Sequence, residues 1–241
     1  MFTGIVQGMA QVASLVDQPG LRTITLQFPF GFCQGLEVGA SVAVDGVCLT
    51  VTRVQPTDVA EFDVMQQSLG LTTLAQLHVG SQVNVERAAR EGAEIGGHPL
   101  SGHVDAVATV WAMRRPQNNC VLTLEVPAPW MRYIFAKGYI AVQGASLTVA
   151  EVTRLPGGAG RFEVWLIPET LRVTTLGQVD VGARLNIEID RSTQVMVDTV
   201  RDAIEERLGP LWPALQAFAQ ERGIELEDSS NLISQIAAQK P

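Results

Sequence analysis

The chain states most of its pattern twice. "SVAVDGVCLTV" at Ser41–Val51 returns as "YIAVQGASLTV" at Tyr139–Val149, an offset of 98 residues that pairs Cys48 with Ser146. The same offset pairs Thr3 with Ser101 and Ile5 with His103. "FDVM" at Phe62 returns as "FEVW" at Phe162, and "LGLTTLAQLHVGSQVNVE" (Leu69–Glu86) returns as "LRVTTLGQVDVGARLNIE" (Leu171–Glu188), now offset by 102. The drift marks insertions in the second copy, including "LIP" before Glu169. A duplication of this length constrains the fold more than any single motif, because each copy must be one self-similar unit.

Each copy reads as all-β. "RTITLQF", "EFDVM", "QVNVE", "CVLTLEV", "SLTVAEV", "RFEVWLI" and "RLNIEI" alternate apolar with polar or small residues and are rich in Val, Ile, Thr and Phe. Turn residues such as "DQPG", "DGV" and "LPGGAG" separate them. Several short strands in fewer than about a hundred residues predict a small closed barrel, not a parallel sheet. "QSLGLTTLAQL" and "ETLRVTTLGQV" predict a short helix or turn capping each barrel. The units are drawn at 1–97 and 98–191, with a helical segment at 192–241. In that segment Ser192 is read as the N-cap of "TQVMVDTVRDAIEERL". Val197, Val200, Ile204 and Leu208 share one helical face, and Arg201 and Glu205 form an i,i+4 pair. "GP" at Gly209 stops the helix. Its apolar stripe is read equally as packing on its own barrel or as self-association.

Composition excludes several classes. A net charge of −8 with no lysine/arginine stripe argues against nonspecific binding to nucleic acid or anionic membrane. No stretch approaches the ~20 apolar residues of a membrane helix, and no leader pattern opens the chain. Cys33, Cys48 and Cys120 form no CxxC and read as reduced thiols of a cytoplasmic protein. His78, His98 and His103 have no HExxH spacing, so no metal site is expected.

Differences between near-identical copies locate candidate chemistry. Cys48-Leu49-Thr50 stands against Ser146-Leu147-Thr148. Residues two apart on a strand share a face, so each barrel presents two small polar groups together. Packing in a barrel interior would explain one such pair; its repetition favours a ligand-facing wall. His103 replaces Ile5, so the fold does not require it, which favours a copy-specific role such as proton transfer. His98 has no counterpart in the repeat and is read as a loop residue. Lys137, opposite Gly39, is either a surface lysine or a polar anchor; Asp190, opposite Ala88, is a strand-end acid that alone means little.

Together "MFTGIVQG", "DGVCLTV", "NVERAA", "GGHPLSGHVD", "KGYIAV", "SLTVAEV", "LIPETL", "TTLG" and "NIEID" resemble the riboflavin synthase family, the trimeric alpha-chain type, over roughly residues 1–208. The resemblance implies two six-stranded Greek-key barrels per chain and a C-terminal helix that trimerises. It implies dismutation of two 6,7-dimethyl-8-ribityllumazine molecules to riboflavin and a diaminopyrimidine, with no metal, nucleotide or redox cofactor. By that arrangement the N-barrel of one subunit faces the C-barrel of its neighbour. Association with a lumazine synthase capsid, found in some members, is left open.

Carried over residue by residue, the resemblance implies catalytic positions at His103, Cys48, Ser146, Thr148 and Asp190. In the first copy lumazine contacts fall on Gly4, Ile5, Val6, Cys48, Leu49 and Thr50, then Asp63, Val64, Met65, Gln66, Gln67 and Ser68. In the second they fall on Gly102, His103, Val104, Lys137, Ser146, Leu147 and Thr148, then Leu166, Ile167, Pro168, Glu169, Thr170 and Leu171. His103, Ser146, Thr148 and the "LIPET" segment are expected to make one second-barrel pocket. Thr50, Ser68, Thr148 and Thr170 suit a ribityl chain.

Two positions depart from the family pattern. Gln67-Ser68 replaces an acid followed by threonine, although Glu169-Thr170 keeps it, and Gln143 stands where an Asp usually precedes the glycine. Non-catalytic lumazine proteins of the same fold also carry glutamine near the first position. A lumazine- or flavin-binding protein is therefore the rival expectation. A purely structural barrel trimer leaves the repeated Cys/Ser-x-Thr unexplained.

Overall fold

The computed structural model describes residues 1–90 and 92–222. The first copy folds as β1 (Gly8–Gln18), β2 (Leu21–Gln27), β3 (Ser41–Val44), β4 (Val47–Gln55), β5 (Val59–Met65) and β6 (Gln82–Arg87). The second folds as β7 (Ala106–Arg114), β8 (Cys120–Val126), β9 (Tyr139–Val142), β10 (Ala145–Arg154), β11 (Gly160–Leu166) and β12 (Arg184–Ile189). Each set closes into a six-stranded antiparallel barrel, in the orders β1-β2-β5-β4-β3-β6 and β7-β8-β11-β10-β9-β12. The order departs from the chain sequence in the same way twice, which is the expected Greek key.

The register slips between Val12 and Ser14 and between Val51 and Arg53, and again between Val110 and Ala112 and between Val149 and Val152. Such bulges bend a strand and increase its twist, which a barrel this small requires. Alternate residues fill each interior: Ile24, Leu26, Val51, Phe62 and Val85 in the first, Leu122, Leu124, Val149, Phe162 and Ile187 in the second.

β6 and β12 break the alternation. Asn84 and Glu86 in β6, and Asn186 and Glu188 in β12, are buried although they face away from their own barrel core. Their outer faces lie in the seam between the barrels. The Asn84 side chain accepts the Thr175 N–H at 2.7 Å and donates to the Gln143 carbonyl at 2.9 Å. Asn186 accepts from Thr73 N–H at 2.8 Å and donates to the Asp45 carbonyl at 2.9 Å. Every contact occurs twice, so the seam has an approximate two-fold axis. Buried amides need such partners, because an unpaired one costs about 1–3 kcal/mol.

The capping segments are α1 (Gln66–Leu71) and α3 (Pro168–Val173), each followed by one 3₁₀ turn; α2 is the short turn Ala128–Met131. α4 runs Arg191–Leu208, and α5 runs Trp212–Glu221 after a 3₁₀ turn at Gly209–Leu211. Compact units divide between Gln194 and Val195, and the second is described by itself. The N-cap of α4 is Asp190, not Ser192: the Asp190 carboxylate accepts the Thr193 N–H at 2.9 Å, whereas Ser192 lies inside the helix and donates its own hydroxyl to Asp190. A carboxylate accepts several donors at a helix N-terminus and favours its positive dipole end. Arg201 pairs with Asp198 and Asp202. The part of the 192–241 segment beyond Arg222 lies outside the described residues. Among the described residues no helix is long and apolar enough to cross a membrane.

Candidate functional site

In β4 the side chains of Val47, Leu49 and Val51 point into the barrel, which turns Cys48 and Thr50 outward. In β10, Ala145, Leu147 and Val149 do the same and turn Ser146 and Thr148 outward. The paired small polar groups therefore line the outer wall of each barrel.

The cover over them comes from the other copy. The arms ahead of β1 and β7 meet where Phe2 and Leu100 form an antiparallel bridge. Beyond it, the Gly4 carbonyl accepts the Ser146 N–H at 2.8 Å, and the Gly102 carbonyl accepts the Cys48 N–H at 2.8 Å. Glycine makes both approaches possible. A Cβ on Gly4 would lie 2.5 Å from Ser146 Cβ, and one on Gly102 would lie 2.6 Å from Cys48 Cβ; φ is +74° and +78°. The second-barrel pocket expected from the sequence is thus redrawn. His103 lies on the Cys48 arm contact of the first barrel, while Gly4 and Ile5 lie with Ser146 and Thr148. The two arms are exchanged, and Val104 packs on the first barrel's core.

Two glutamates hold the arms. The Glu86 carboxylate accepts from Thr3 N–H at 2.6 Å, Thr3 O–H at 2.7 Å and Gly4 N–H at 3.0 Å. Glu188 accepts from Ser101 N–H at 2.7 Å, Ser101 O–H at 2.7 Å and Gly102 N–H at 3.0 Å. Burial pushes both carboxyls above their ordinary range, and these donors pull them part of the way back. Sequence reasoning missed this pair. Its signal was present in "NVE" and "NIE", charged residues repeated inside strands.

His98 was also missed as a site residue. It sits in a loop as expected, but its side chain is buried and its Nδ1 lies 2.6 Å from Ser146 Oγ. Its ring stacks on Tyr139 with centroids 5.1 Å apart. Burial pulls its pKa below the ordinary value, against the charge of Asp190, so the ring is neutral. Asp190 itself is low: burial raises it, but hydrogen bonds from Ser192 and Thr193 outweigh that. Its carboxylate is committed to capping α4.

Lys137 holds φ +70° where the first copy has Gly39 at +89°. A side chain in this region costs of order 1 kcal/mol or more, so the lysine is kept against local preference. Ile5, Met65, Tyr139 and Ile167 leave apolar surface exposed around the two contacts. Of the remaining candidates, Thr50, Asp63, Gln66, Gln67, His103, Thr148, Pro168 and Glu169 are exposed; Ser68, Thr170 and Leu171 are half-buried. The side chains of Val6, Leu49, Val64, Leu147 and Leu166 are buried, leaving the backbone as their means of contact. Asp63 accepts from the Thr23 hydroxyl, and Glu169 is paired with Arg172. Among the described residues no cluster of His, Cys, Asp or Glu has the form of a metal site.

Residues 3–88 and 101–190 each match the family model described as the lumazine binding domain. The chain is 48% identical over 208 residues to a riboflavin synthase of Escherichia coli, covering 86% of this chain and 95% of that one. It is 40% identical over 205 residues to a riboflavin synthase of Mycobacterium tuberculosis, covering 84% and 100%. A solved structure of LumP with 6,7-dimethyl-8-(1'-D-ribityl) lumazine is similar at TM-score 0.69 and 26% identity, covering 79% of this chain and all of that one. LumP with riboflavin gives TM-score 0.70 at the same identity. With the exchanged arms and the duplicated barrels, these likenesses place the chain in the lumazine-binding, riboflavin synthase family.

Proposed function

We propose that this chain is a riboflavin synthase. It converts two 6,7-dimethyl-8-ribityllumazine molecules into riboflavin and 5-amino-6-(D-ribitylamino)uracil by moving a four-carbon unit from one to the other. The observation that carries the reading is the pair of matched half-sites that differ in their functional groups. A reaction between two copies of one substrate needs two similar pockets and two different jobs. Holding both molecules in place converts a bimolecular encounter into an oriented one.

In this reading the barrels, 1–97 and 98–191, each bind one lumazine on the outer wall. His103 moves the acidic 7-methyl proton of one lumazine, and Cys48, a serine or water adds at C7 of the other, which closure by a second subunit brings against the same contact. Ser146 and Thr148 serve the opposite half-site, with Lys137 as a polar anchor. Asp190 acts by its charge beside His98, since its oxygens are taken by the helix cap. The exposed apolar residues around each contact favour closure by a second subunit, the N-barrel of one facing the C-barrel of another. The C-terminal helix that opens the 192–241 segment then makes a homotrimer in the cytoplasm, and lumazine synthase is the partner to test. No cofactor is required by this chemistry.

The likeness to LumP supports one rival, a lumazine- or flavin-carrying protein. Incubation of the purified chain with the lumazine separates the two. Two lumazines lost per riboflavin formed supports the enzyme; tight binding without turnover overturns it in favour of the carrier.

A further inference from the structure

The approximate two-fold axis of the seam runs through an open cleft of about 520 Å³. Neither Cys48 nor Ser146 lines it, so it belongs to neither outer wall. Its lining comes in equivalent pairs: Thr73 with Thr175, Asp45 with Gln143, and Gln76 with Gln178. The first two pairs are buried and make the floor, and the glutamines of the third are exposed at the rim. The volume is that of an ordinary small-molecule site.

Two side chains there have polar groups with nothing to bind. The first is Thr73, which is 6% exposed. Its backbone N–H is taken by Asn186, but its Oγ1 is buried with no hydrogen-bond partner among the described residues. A buried hydroxyl left unpaired is costly, and most find a partner. The second is Arg184, which stands where the first copy has Gln82. Arg114, Arg161 and Arg172 of the same barrel each pair with a glutamate, whereas Arg184 has no ion pair among the described residues. The acid in the floor, Asp45, is already bound by Asn84 and Gln143. No Phe, Tyr or Trp is among the described lining residues, so the cleft offers a pteridine or a base no such ring to stack on. Spaced hydroxyl and amide groups suit a row of hydroxyls, and a free guanidinium suits phosphate.

We propose that this cleft is a ligand site separate from both outer walls, and that it takes a short polyhydroxylated chain ending in phosphate. Thr73 bonds a hydroxyl of the chain in the floor, and Arg184 bonds the phosphate at the rim. The duplication supplies the paired amides and hydroxyls; the single arginine sets which way the ligand lies. The site goes beyond the lumazine reading and does not depend on it.

The test is calorimetric titration of the full chain with D-ribitol 5-phosphate, ribitol and inorganic phosphate as probes. The polyol phosphate is expected to bind more tightly than either fragment. Arg184→Gln is expected to weaken ribitol 5-phosphate about tenfold or more and to leave ribitol unchanged. Thr73→Val keeps the shape and removes the hydroxyl, and is expected to weaken ribitol 5-phosphate by about three- to tenfold. Thr73→Ser restores the hydroxyl and should stay within about threefold of the parent. Melting curves and lumazine binding at the outer walls, which these distant changes should leave alone, check that each variant is folded. If Thr73→Val folds poorly, Thr73→Ser and Arg184→Gln decide between them: retained affinity in the first and loss in the second support the site. Failure of ribitol 5-phosphate to bind at millimolar concentration would overturn the proposal. So would equal affinity in the parent and Arg184→Gln, which would place the bound probe on an outer wall instead. Loss of riboflavin formation by the parent chain would strike the synthase reading alone.

Discussion

Gly4 and Ser146 lie 142 positions apart, yet the Gly4 carbonyl takes the Ser146 N–H at 2.8 Å and leaves no room for a side chain between them. Gly4→Ala should therefore strip the Ser146 half-site. The positive φ alone costs about 1–2 kcal/mol in a residue with a Cβ, and the 2.5 Å clash forces the arm away. Lumazine titration is expected to show the Cys48 side still binding and the Ser146 side lost. Retention of both sides would contradict the exchanged-arm geometry.

The glutamates make a crossed prediction. Glu86 belongs to the first barrel but holds the arm that covers Ser146; Glu188 belongs to the second but holds the arm that covers Cys48. Glu86→Gln should weaken binding at the Ser146 side, and Glu188→Gln at the Cys48 side. Each should cost about 1–3 kcal/mol in stability, since one buried donor loses its acceptor. Two-site calorimetry reads the crossing directly.

Phe2 is 1% exposed and anchors the bridge to Leu100. Phe2→Ala should cost about 3–5 kcal/mol through the cavity it leaves and should release Thr3 and Gly4 from Glu86. Urea unfolding and the riboflavin assay check the two effects.

Asp45 gives the pH dependence. Burial in the seam raises its carboxyl from 3.8 to about 7, partly offset by hydrogen bonds from Asn84 and Gln143. Between those values the folded state binds a proton that the unfolded state has lost, so this group's contribution to stability falls as pH rises from about 4 to 7 and levels off above. Glu86 and Glu188 act with the same sign. Gln143→Asp replaces an amide donor with a second acid. It should destabilise by about 1–3 kcal/mol at pH 8 and much less at pH 5, where the pair can hold a proton. Melting curves at the two pH values decide it.

Lys137→Gly removes a side chain from a glycine-favouring conformation. Thermal melts should show stabilisation of up to about 1 kcal/mol. If the lysine anchors ligand, lumazine affinity should fall in the same variant.

The barrels were legible because the repeat aligned every strand with a second witness. "CVLTLEV", "YIAV" and "RLNIEI" coincide with β8, β9 and β12. The alignment also identified Cys48 with Ser146 and Ile5 with His103. It could not say which barrel each arm covers, because a repeat names equivalents and is unchanged when equivalents trade places. His98 escaped because it has no equivalent. Glu86 and Glu188 escaped because β6 and β12 are buried on both faces, which strand alternation does not anticipate. The capping role of Asp190 escaped because Ser192 is also a good cap by residue type, and the helix end is set by backbone geometry.

The exchanged arms also bear on how such a chain can change over generations. In a simple tandem duplication either half is free to drift or be lost, since its twin still carries a whole site. Here each half owns the floor of one site and the roof of the other. A substitution in either half is felt in both pockets, and a half cut loose would keep its arm with no neighbouring wall to lay it on. The duplication has in effect locked behind itself: the copies are free to diverge in chemistry, as Cys48 and Ser146 have, but not to part.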